Sequence, residues 1–541
     1  MTILDLLPAL PWQASPSKIF VGLAVIIVIF YTLYAVISYD KRRRHLPPGP
    51  RGLPVIGNLL DFADAENHTV QAMKWAKEYG DIFCVQIGGS DFIFLNSPRV
   101  VKDLLDKRSN IYSSRPEMPV ANEAYSNSRR QLFMPYSTQW RSVRKLSHGL
   151  LSSTAAQAYK PVQEFESRQL LYDILDTPED FYQHNRRYSA SVIMTVTYGS
   201  RLPSWDDPLM TSIYSVLDNF TEMIRPGRFV VEAFPALKHL PEWMLGSWRT
   251  YSAKKHAHDA KVYLGLWRDM KDKVERGTAP PCYCRDFYLQ SPDKFDIDEE
   301  LSAYTAGGLV EAGSETTGMA LNNFILAMVK WPEVLKRGQE EIDRVVGPGR
   351  FPDWDDELQL PYVRAIVKEC LRWRPISRTG IVHSNTVDDW YEGYFIPKGS
   401  SIILNWWAIH YNPEIHPEPD TFKPDRYLKH PEHSSHYFNT ADPYARDHYG
   451  YGAGRRICPG SHVAEYSLYI NLARVLWAFD IKPKIGADGK PVQPAMGFFD
   501  GVMAVPKPFE CEITPRSESK AELIQEMWAS QSKADYRTNE Q

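Results

Sequence analysis

The sequence predicts a mainly α-helical fold with small β-sheets (α+β), one large domain preceded by a single membrane-spanning helix, and three patterns carry that prediction. Residues 298–330 read as one long helix, with an acidic start and a Trp331-Pro332 stop that opens another helix. Residues 331–346 and 361–373 repeat the helical pattern, whereas residues 393–404 alternate like strands around Pro397-Lys398-Gly399. Near the N-terminus, residues 19–37 form a run of nineteen positions without a charge.

That run is long enough to span a bilayer: at 1.5 Å per helical residue it covers about 28 Å. Thirteen of its side chains are Leu, Ile, Val or Phe, which together favour insertion by about 5 kcal/mol at roughly 0.4 kcal/mol each. The cations Lys41-Arg42-Arg43-Arg44 stay cytoplasmic, which makes residues 1–18 a short lumenal N-terminus and residues 19–39 the anchor. No small-residue cleavage site follows, so the segment reads as a retained anchor rather than a signal peptide. Residues 40–57 form a basic, proline-rich hinge whose Leu46-Pro47-Pro48-Gly49-Pro50 stretch enforces extended geometry. Residues 58–516 make the main domain. Residues 517–541 are polar and charged, with one amphipathic turn at 523–528, and read as a tail without stable structure.

Composition narrows the function. Six cysteines in 541 residues do not form a disulfide framework. A net charge of -4, with no basic run interleaved with aromatics in the main body, argues against nucleic acid as a partner. Cys282-Tyr283-Cys284 has no second ligand pair at zinc-finger spacing and reads as a loop. Two glycosylation sequons, Asn67-His68-Thr69 and Asn219-Phe220-Thr221, face the cytosol in this topology and are expected to stay unmodified.

The chemistry centres on residues 451–460, which set Cys458 in a glycine-rich turn beside Arg455 and Arg456. Nearby cations and inward-pointing N–H groups favour the thiolate, the form that ligates metals. Gly452, Gly454 and Gly460 let a large flat cofactor approach the sulfur. A buried structural cysteine is the alternative. The segment resembles the haem-binding loop of the cytochrome P-450 family, FxxGxRxCxG, with Tyr451 where the family usually carries Phe. The resemblance runs from about residue 46 to 516 and implies one large helical domain, with haem buried between two helices and Cys458 as the axial iron ligand.

Within the long helix lies Ala312-Gly313-Ser314-Glu315-Thr316-Thr317. Glycine mid-helix costs about 1 kcal/mol relative to alanine, and Thr316 is placed to back-bond to the Ala312 carbonyl, which bends helices. The segment resembles the family's (A/G)Gx(D/E)T(T/S) element across the distal haem face. That match implies that Thr316 holds water there and that Glu315 links proton delivery to solvent, since O–O cleavage consumes two protons in a dry pocket.

Glu369 and Arg372, three apart on one helix, share a face, and residues 422–427 supply Arg426. These resemble the family's ExxR and PxRF elements, which implies a buried brace for folding and haem retention. Haem also carries two propionates that need cations at the rim. By resemblance these are Trp140 and Arg144 of a WxxxR pair, Arg115 of an SxRP-like loop, Arg456 and His383.

The resemblance implies a haem-thiolate monooxygenase in the endoplasmic reticulum membrane, its domain cytosolic, inserting one oxygen atom from O₂ into a lipophilic small molecule. The chain has no GxGxxG fingerprint after a strand, so electrons are expected from an NADPH-dependent flavoprotein reductase, with Arg141, Arg144 and Lys145 as a docking patch. Residues 115–136, 223–234, 376–381 and 498–499 resemble pocket-lining segments. In style the chain is similar to filamentous-fungal members that oxidise secondary-metabolite intermediates, aromatic polyketides among them. Xenobiotic oxidation, a non-oxygenating isomerase or dehydratase, and a membrane haem sensor stay open as alternatives.

Overall fold

The computed structural model describes residues 44–53, 56–62, 68–499 and 501–531. The predicted anchor and Asn67 lie outside them, and among the described residues no helix is long and apolar enough to cross a membrane. The longer helices are α1 (His68–Tyr79), α2 (Thr138–Leu150), α3 (Lys160–Asp176), α4 (Phe181–Tyr198), α5 (Pro208–Met223), α6 (Trp248–Glu275), α7 (Glu299–Lys330), α8 (Pro332–Val345), α9 (Pro361–Trp373), α10 (Ser461–Ala478) and α11 (Glu518–Gln531).

Helix α7 starts where the Asp298 carboxylate accepts from the Leu301 N–H at 2.8 Å, with Glu299 and Glu300 adding negative charge to the first turn. It runs unbroken to Trp331, and Pro332 opens α8. Helix α4 lies along it, tied by Ser189 Oγ donating to the Gly313 carbonyl at 2.6 Å.

The main sheet has the order β1-β2-β6-β3, with β1 (Ile82–Ile87), β2 (Ser90–Leu95), β3 (His383–Ser384) and β6 (Ser401–Leu404). Strand β6 runs parallel to β2, pairing Ser401 with Phe92 and Leu404 with Leu95. The alternation in residues 393–404 appears as β5 (Tyr394–Ile396), which pairs with β4 (Asp389–Tyr391), and as β6. A third sheet pairs β7 (Phe479–Pro483) with β8 (Cys511–Pro515). Helix α1 covers the main sheet through Ala72 and Trp75 against the stacked rings of Phe83 and Phe94.

Two large cores flank α7. One joins it to α3, α4, α9 and α10 through Leu170, Tyr188, Phe324, Ile366 and Leu472. The other joins it to α2, α5 and α6 through Trp140, Ile213, Tyr263 and Leu301. A smaller core of Val120, Tyr125, Met223, Val231 and Trp248 stands apart from both.

Two expectations change. Residues 518–531, read as part of an unstructured tail, form α11, which packs on α3: Ile524 is fully buried and the Trp528 ring stacks on Tyr172 at 5.8 Å. Leu523, Ile524, Met527 and Trp528 form a helical stripe whose partner groove lies elsewhere in the chain, so composition alone read it as polar. Cys284 is buried on the helix Tyr283–Leu289, and Cys282, also buried, points its sulfur at Met270 Sδ, 3.7 Å away. Both are buried in the core, Cys282 in the loop just before the helix and Cys284 within the helix, and among the described residues no group of three or more His, Cys, Asp or Glu could hold a metal ion. Asn219 is buried, its amide donating to Asp259 Oδ1 at 2.8 Å.

Candidate active site

The turn carrying Cys458 is closed by its own N–H donating to the Tyr451 carbonyl at 2.9 Å. Gly454, at φ +65°, donates to Asp106 Oδ1 at 2.8 Å, and a Cβ there would sit 2.2 Å from the Leu105 carbonyl oxygen, so only glycine fits. Burial pushes the Cys458 thiol up; the Gly460 N–H and Arg144 pull it back. The arginines expected to favour the thiolate are turned away. Arg455 donates to Ser109 and to the Tyr136 hydroxyl, and Arg456 to backbone carbonyls. Ionisation of this sulfur therefore awaits a bound cation, and a coordinating metal deprotonates a thiol outright. Cys284, Cys370 and Cys511 have thiols raised by burial with no cation opposing it.

Three guanidiniums gather at the edge of this turn. Arg456 donates to the carbonyls of Ser113 (2.9 Å), Gln131 (3.2 Å) and Met134 (2.6 Å), with its plane over the Trp140 ring at 4.1 Å. Arg115 donates to the carbonyls of Leu132 (2.8 Å), Ile381 (2.8 Å) and Val382 (2.9 Å), and Arg144 to that of Ile457. No carboxylate among the described residues pairs with any of them. Burial drags Arg115 down to about 9, and burial with repulsion from Arg115 and Arg144 drags Arg456 down to about 8. Since guanidiniums stay protonated in proteins, such shifts mark cations that lack an anion. A group bearing two carboxylates, as haem does, fits this rim and the cysteine turn together.

His383 stands among the same cations. Burial and Arg115 lower it to about 3, and its Nδ1 donates to the Tyr112 carbonyl at 3.0 Å. The neutral ring has no second N–H, so a donor role toward a propionate requires that the ring first take up a second proton from solvent.

On α7, Thr316 Oγ1 donates to the Ala312 carbonyl at 2.8 Å, the back-bond the sequence places there. Glu315 is held by a residue the motif gave no sign of: Arg186 of α4, Nη2 to Oε1 2.5 Å, under the Tyr214 ring at 4.3 Å. Both line a cleft of about 630 Å³ between α4, α7 and residues 499–510, with Met319, Phe499 and Phe509. A second unsignalled cluster lies one turn earlier. Arg130, fully buried, bridges Asp259 (2.6 Å) and Glu311 (2.8 Å), with the Tyr125 and Tyr263 hydroxyls donating to the same carboxylates. These partners come from α4, α6 and a loop, so only a tertiary signal could find them.

Behind the cysteine turn, Arg372 grips Glu369 with two bonds of 2.7 and 2.8 Å, both side chains fully buried. Arg426 reaches Glu369 at 3.4 Å and otherwise donates to carbonyls of residues 417–421. Arg372 also donates to the His410 carbonyl at 3.0 Å, and His410 Nε2 accepts the Tyr449 N–H at 2.8 Å, which connects the brace to the turn. Beside it, His433 lies between Glu357 (3.2 Å) and Glu465 (3.5 Å).

Of the expected docking patch, Arg141 and Lys145 are exposed, while Arg144 is half-buried and donates to the Ile457 carbonyl.

Comparison with known proteins completes the picture. The family model for cytochrome P-450 matches residues 47–513. The chain is 43% identical over 504 residues to cytochrome P-450 monooxygenase verL of Clonostachys rogersoniana, covering 93% of this chain and 92% of that protein. It is 38% identical over 513 residues to cytochrome P-450 monooxygenase virE of Hypocrea virens (94% and 91% covered) and 38% over 508 residues to cytochrome P-450 monooxygenase fogE of Aspergillus ruber (93% on both sides). Such proteins are monooxygenases that hold haem on a cysteine thiolate, use O₂ with a redox partner, and act on small molecules. A cysteine turn ringed by guanidiniums that lack a carboxylate, a long helix carrying Glu315 and Thr316, and these matches over almost the whole chain have one common reading: this protein belongs to the cytochrome P-450 family.

Proposed function

We propose that this monooxygenase oxidises a lipophilic secondary-metabolite intermediate at the cytosolic face of the endoplasmic reticulum, with electrons from NADPH through a membrane-bound flavoprotein reductase. The observation that carries the site assignment is the set of three guanidiniums around the partly exposed Cys458, Arg115 buried and Arg144 and Arg456 half-buried, none of them paired with a carboxylate.

Bound there, haem would supply reductive activation of O₂. The chain's own residues do the rest. Cys458 would supply the sulfur that holds the iron, and Arg115, Arg144 and Arg456 would neutralise the propionates, with Trp140 stacked beneath Arg456. Because Thr316 gives its hydrogen to Ala312, its oxygen is free to accept from a water and hold it beside α7. Glu315, open to the 630 Å³ cleft, takes protons from solvent and passes them inward. Residues 115–136, 223–234, 376–381 and 498–499 line the substrate space and keep it apolar.

Fungal relatives support the secondary-metabolite reading. For the membrane, support comes from the uncharged run with its cationic flank and from a surface segment exposing Val230 (49%), Trp243 (79%) and Met244 (53%). The Glu315–Thr316 pair favours oxygenation over isomerisation or passive haem sensing, neither of which needs proton delivery.

The test is the difference spectrum of dithionite-reduced microsomal protein with and without carbon monoxide, followed by NADPH consumption with a reductase. A red-shifted thiolate band that Cys458→Ser abolishes is expected. Folded, haem-loaded protein without that band would overturn the assignment.

A further inference from the structure

One buried cation faces two carboxylates where residues 115–136 meet α6 and α7. Arg130 Nη2 donates to Asp259 Oδ2 at 2.6 Å, and the same guanidinium reaches Glu311 Oε1 through Nε at 2.9 Å and Nη2 at 2.8 Å. Asp259 uses both of its oxygens: Oδ2 also accepts from the Tyr125 hydroxyl, and Oδ1 accepts the Asn219 amide at 2.8 Å. Glu311 uses one. The Tyr263 hydroxyl joins Arg130 on Oε1, and among the described residues Oε2 accepts nothing and is not sealed in.

A carboxylate in so closed a place is costly unless its charge is met. Asp259 alone would answer the charge of Arg130, so Glu311 leaves the pair of carboxylates with one negative charge in excess over that guanidinium. Exposure shows where this charge can be reached. Arg130 and Asp259 keep 1% and 0% of their side chains open, whereas Glu311 keeps 8%. The void against its flank, between α5, α6 and α7, measures about 10 Å³, room for no more than one water. At the next position of α7, Ala312 stands exposed, and Thr316 follows one turn on, bonded to it. Glu311 therefore sits at the edge of the α7 face that carries Thr316. Aromatic rings crowd the same place: Phe220 lies 6.0 Å from the Arg130 guanidinium, and Phe133 stacks on Phe220 at 5.9 Å.

We propose that Glu311 is a specificity-determining residue on the haem-thiolate reading of this site, on which the assignment rests: Oε2 accepts a hydrogen bond from an N–H or O–H group of an otherwise lipophilic substrate. Three donors clamp Oε1, so Oε2 is in place before the substrate arrives and little freedom is lost on binding. The excess negative charge also repels a carboxylate, which sets donor-bearing aromatic molecules apart from fatty acids and other organic anions. A wall that only excluded water would need no carboxylate here. One built to bond a donor rejects analogues that lack it, because its own acceptor is then left unmet.

The experiment uses the haem-loaded full chain and five probes: 4-phenylimidazole, its three hydroxyphenyl isomers and 4-(4-carboxyphenyl)imidazole, with dissociation constants read from the Soret shift. In the native chain at least one hydroxyl isomer is expected to bind about 10- to 100-fold more tightly than the parent, and the carboxylate about tenfold or more weakly. In Glu311→Gln the hydroxyl advantage should fall about tenfold and the carboxylate penalty should vanish, while the parent changes by less than about threefold. A residue that merely braced α7 would shift all five probes alike. Hydroxyl isomers that match the parent in the native chain, or an advantage undiminished in Glu311→Gln, would overturn the proposal. Should the variant fail to hold haem, the comparison among probes in the native chain decides alone. No Soret shift with any probe would sink the haem-thiolate reading and this assignment with it, whereas shifts blind to the hydroxyl sink the assignment only.

Discussion

Arg186 Nη2 lies 2.5 Å from Glu315 Oε1, so the acid beside Thr316 is latched to a neighbouring helix. If Glu315 delivers protons, its release from Arg186 belongs to the same event, and the two residues act as one unit. Glu315→Gln is expected to lower turnover by about 100-fold or more, with haem content and ligand binding unchanged. Arg186→Gln should cost less, and the double variant should be no slower than Glu315→Gln alone. Additive losses in product-formation rates would show that the pair is independent.

The brace is asymmetric, and its variants should differ. Glu369→Ala strands the fully buried Arg372, a loss of about 3–5 kcal/mol, visible as lowered Tm and poor haem incorporation. Arg426→Ala removes one long bond to Glu369 and several to exposed carbonyls, and is expected to cost at least about 2 kcal/mol less. Equal losses in denaturation would contradict the geometry.

His433 gives the fold a pH dependence. Burial alone would lower it, but the Glu357 and Glu465 carboxylates outweigh burial and hold it up at about 9. A folded pKa above the ordinary 6.5 means the contribution is complete below pH 6.5 and is lost as pH rises through 9. The amount is about 2–3 kcal/mol. Unfolding free energy measured from pH 6 to pH 9.5 should fall accordingly, and His433→Gln should flatten the fall.

Helix α11 is expected to matter for stability and not for chemistry. Ile524 is fully buried against α3, so Ile524→Ala should cost about 2–5 kcal/mol, with the reduced carbon monoxide spectrum unchanged. A spectral change without loss of stability would mean that α11 communicates with the site.

How much was legible depended on the range of the signal. Helices α7, α8 and α9 were readable because their caps, stops and periodicity are local: Asp298, Pro332 and Pro361 announce their starts. Glu369 and Arg372 were readable as a pair because they sit three apart on one helix. Arg186 was not, since nothing near residue 186 says that it will face residue 315. The chemistry of Cys458 was half legible. Its turn was clear, but adjacency in sequence assigned Arg455 and Arg456 to the sulfur, whereas the fold sends both to residues before position 137 and brings Arg144 instead. Composition misread residues 518–531 for a related reason, because an amphipathic helix with a polar outer face resembles a solvated tail until its groove exists.

The contacts of the cysteine turn have a kinetic meaning. Gly454 bonds a residue 348 positions earlier, Arg456 one 343 earlier, and Arg144 reaches forward 313 positions to Ile457. Such separations make loop closure expensive and put the step late in folding. On the ribosome, the N-terminal walls of the pocket emerge long before its cysteine does, so they wait, apolar and uncovered, for most of synthesis. Cofactor supply and chaperone capacity should therefore limit the yield of active protein more than its equilibrium stability does.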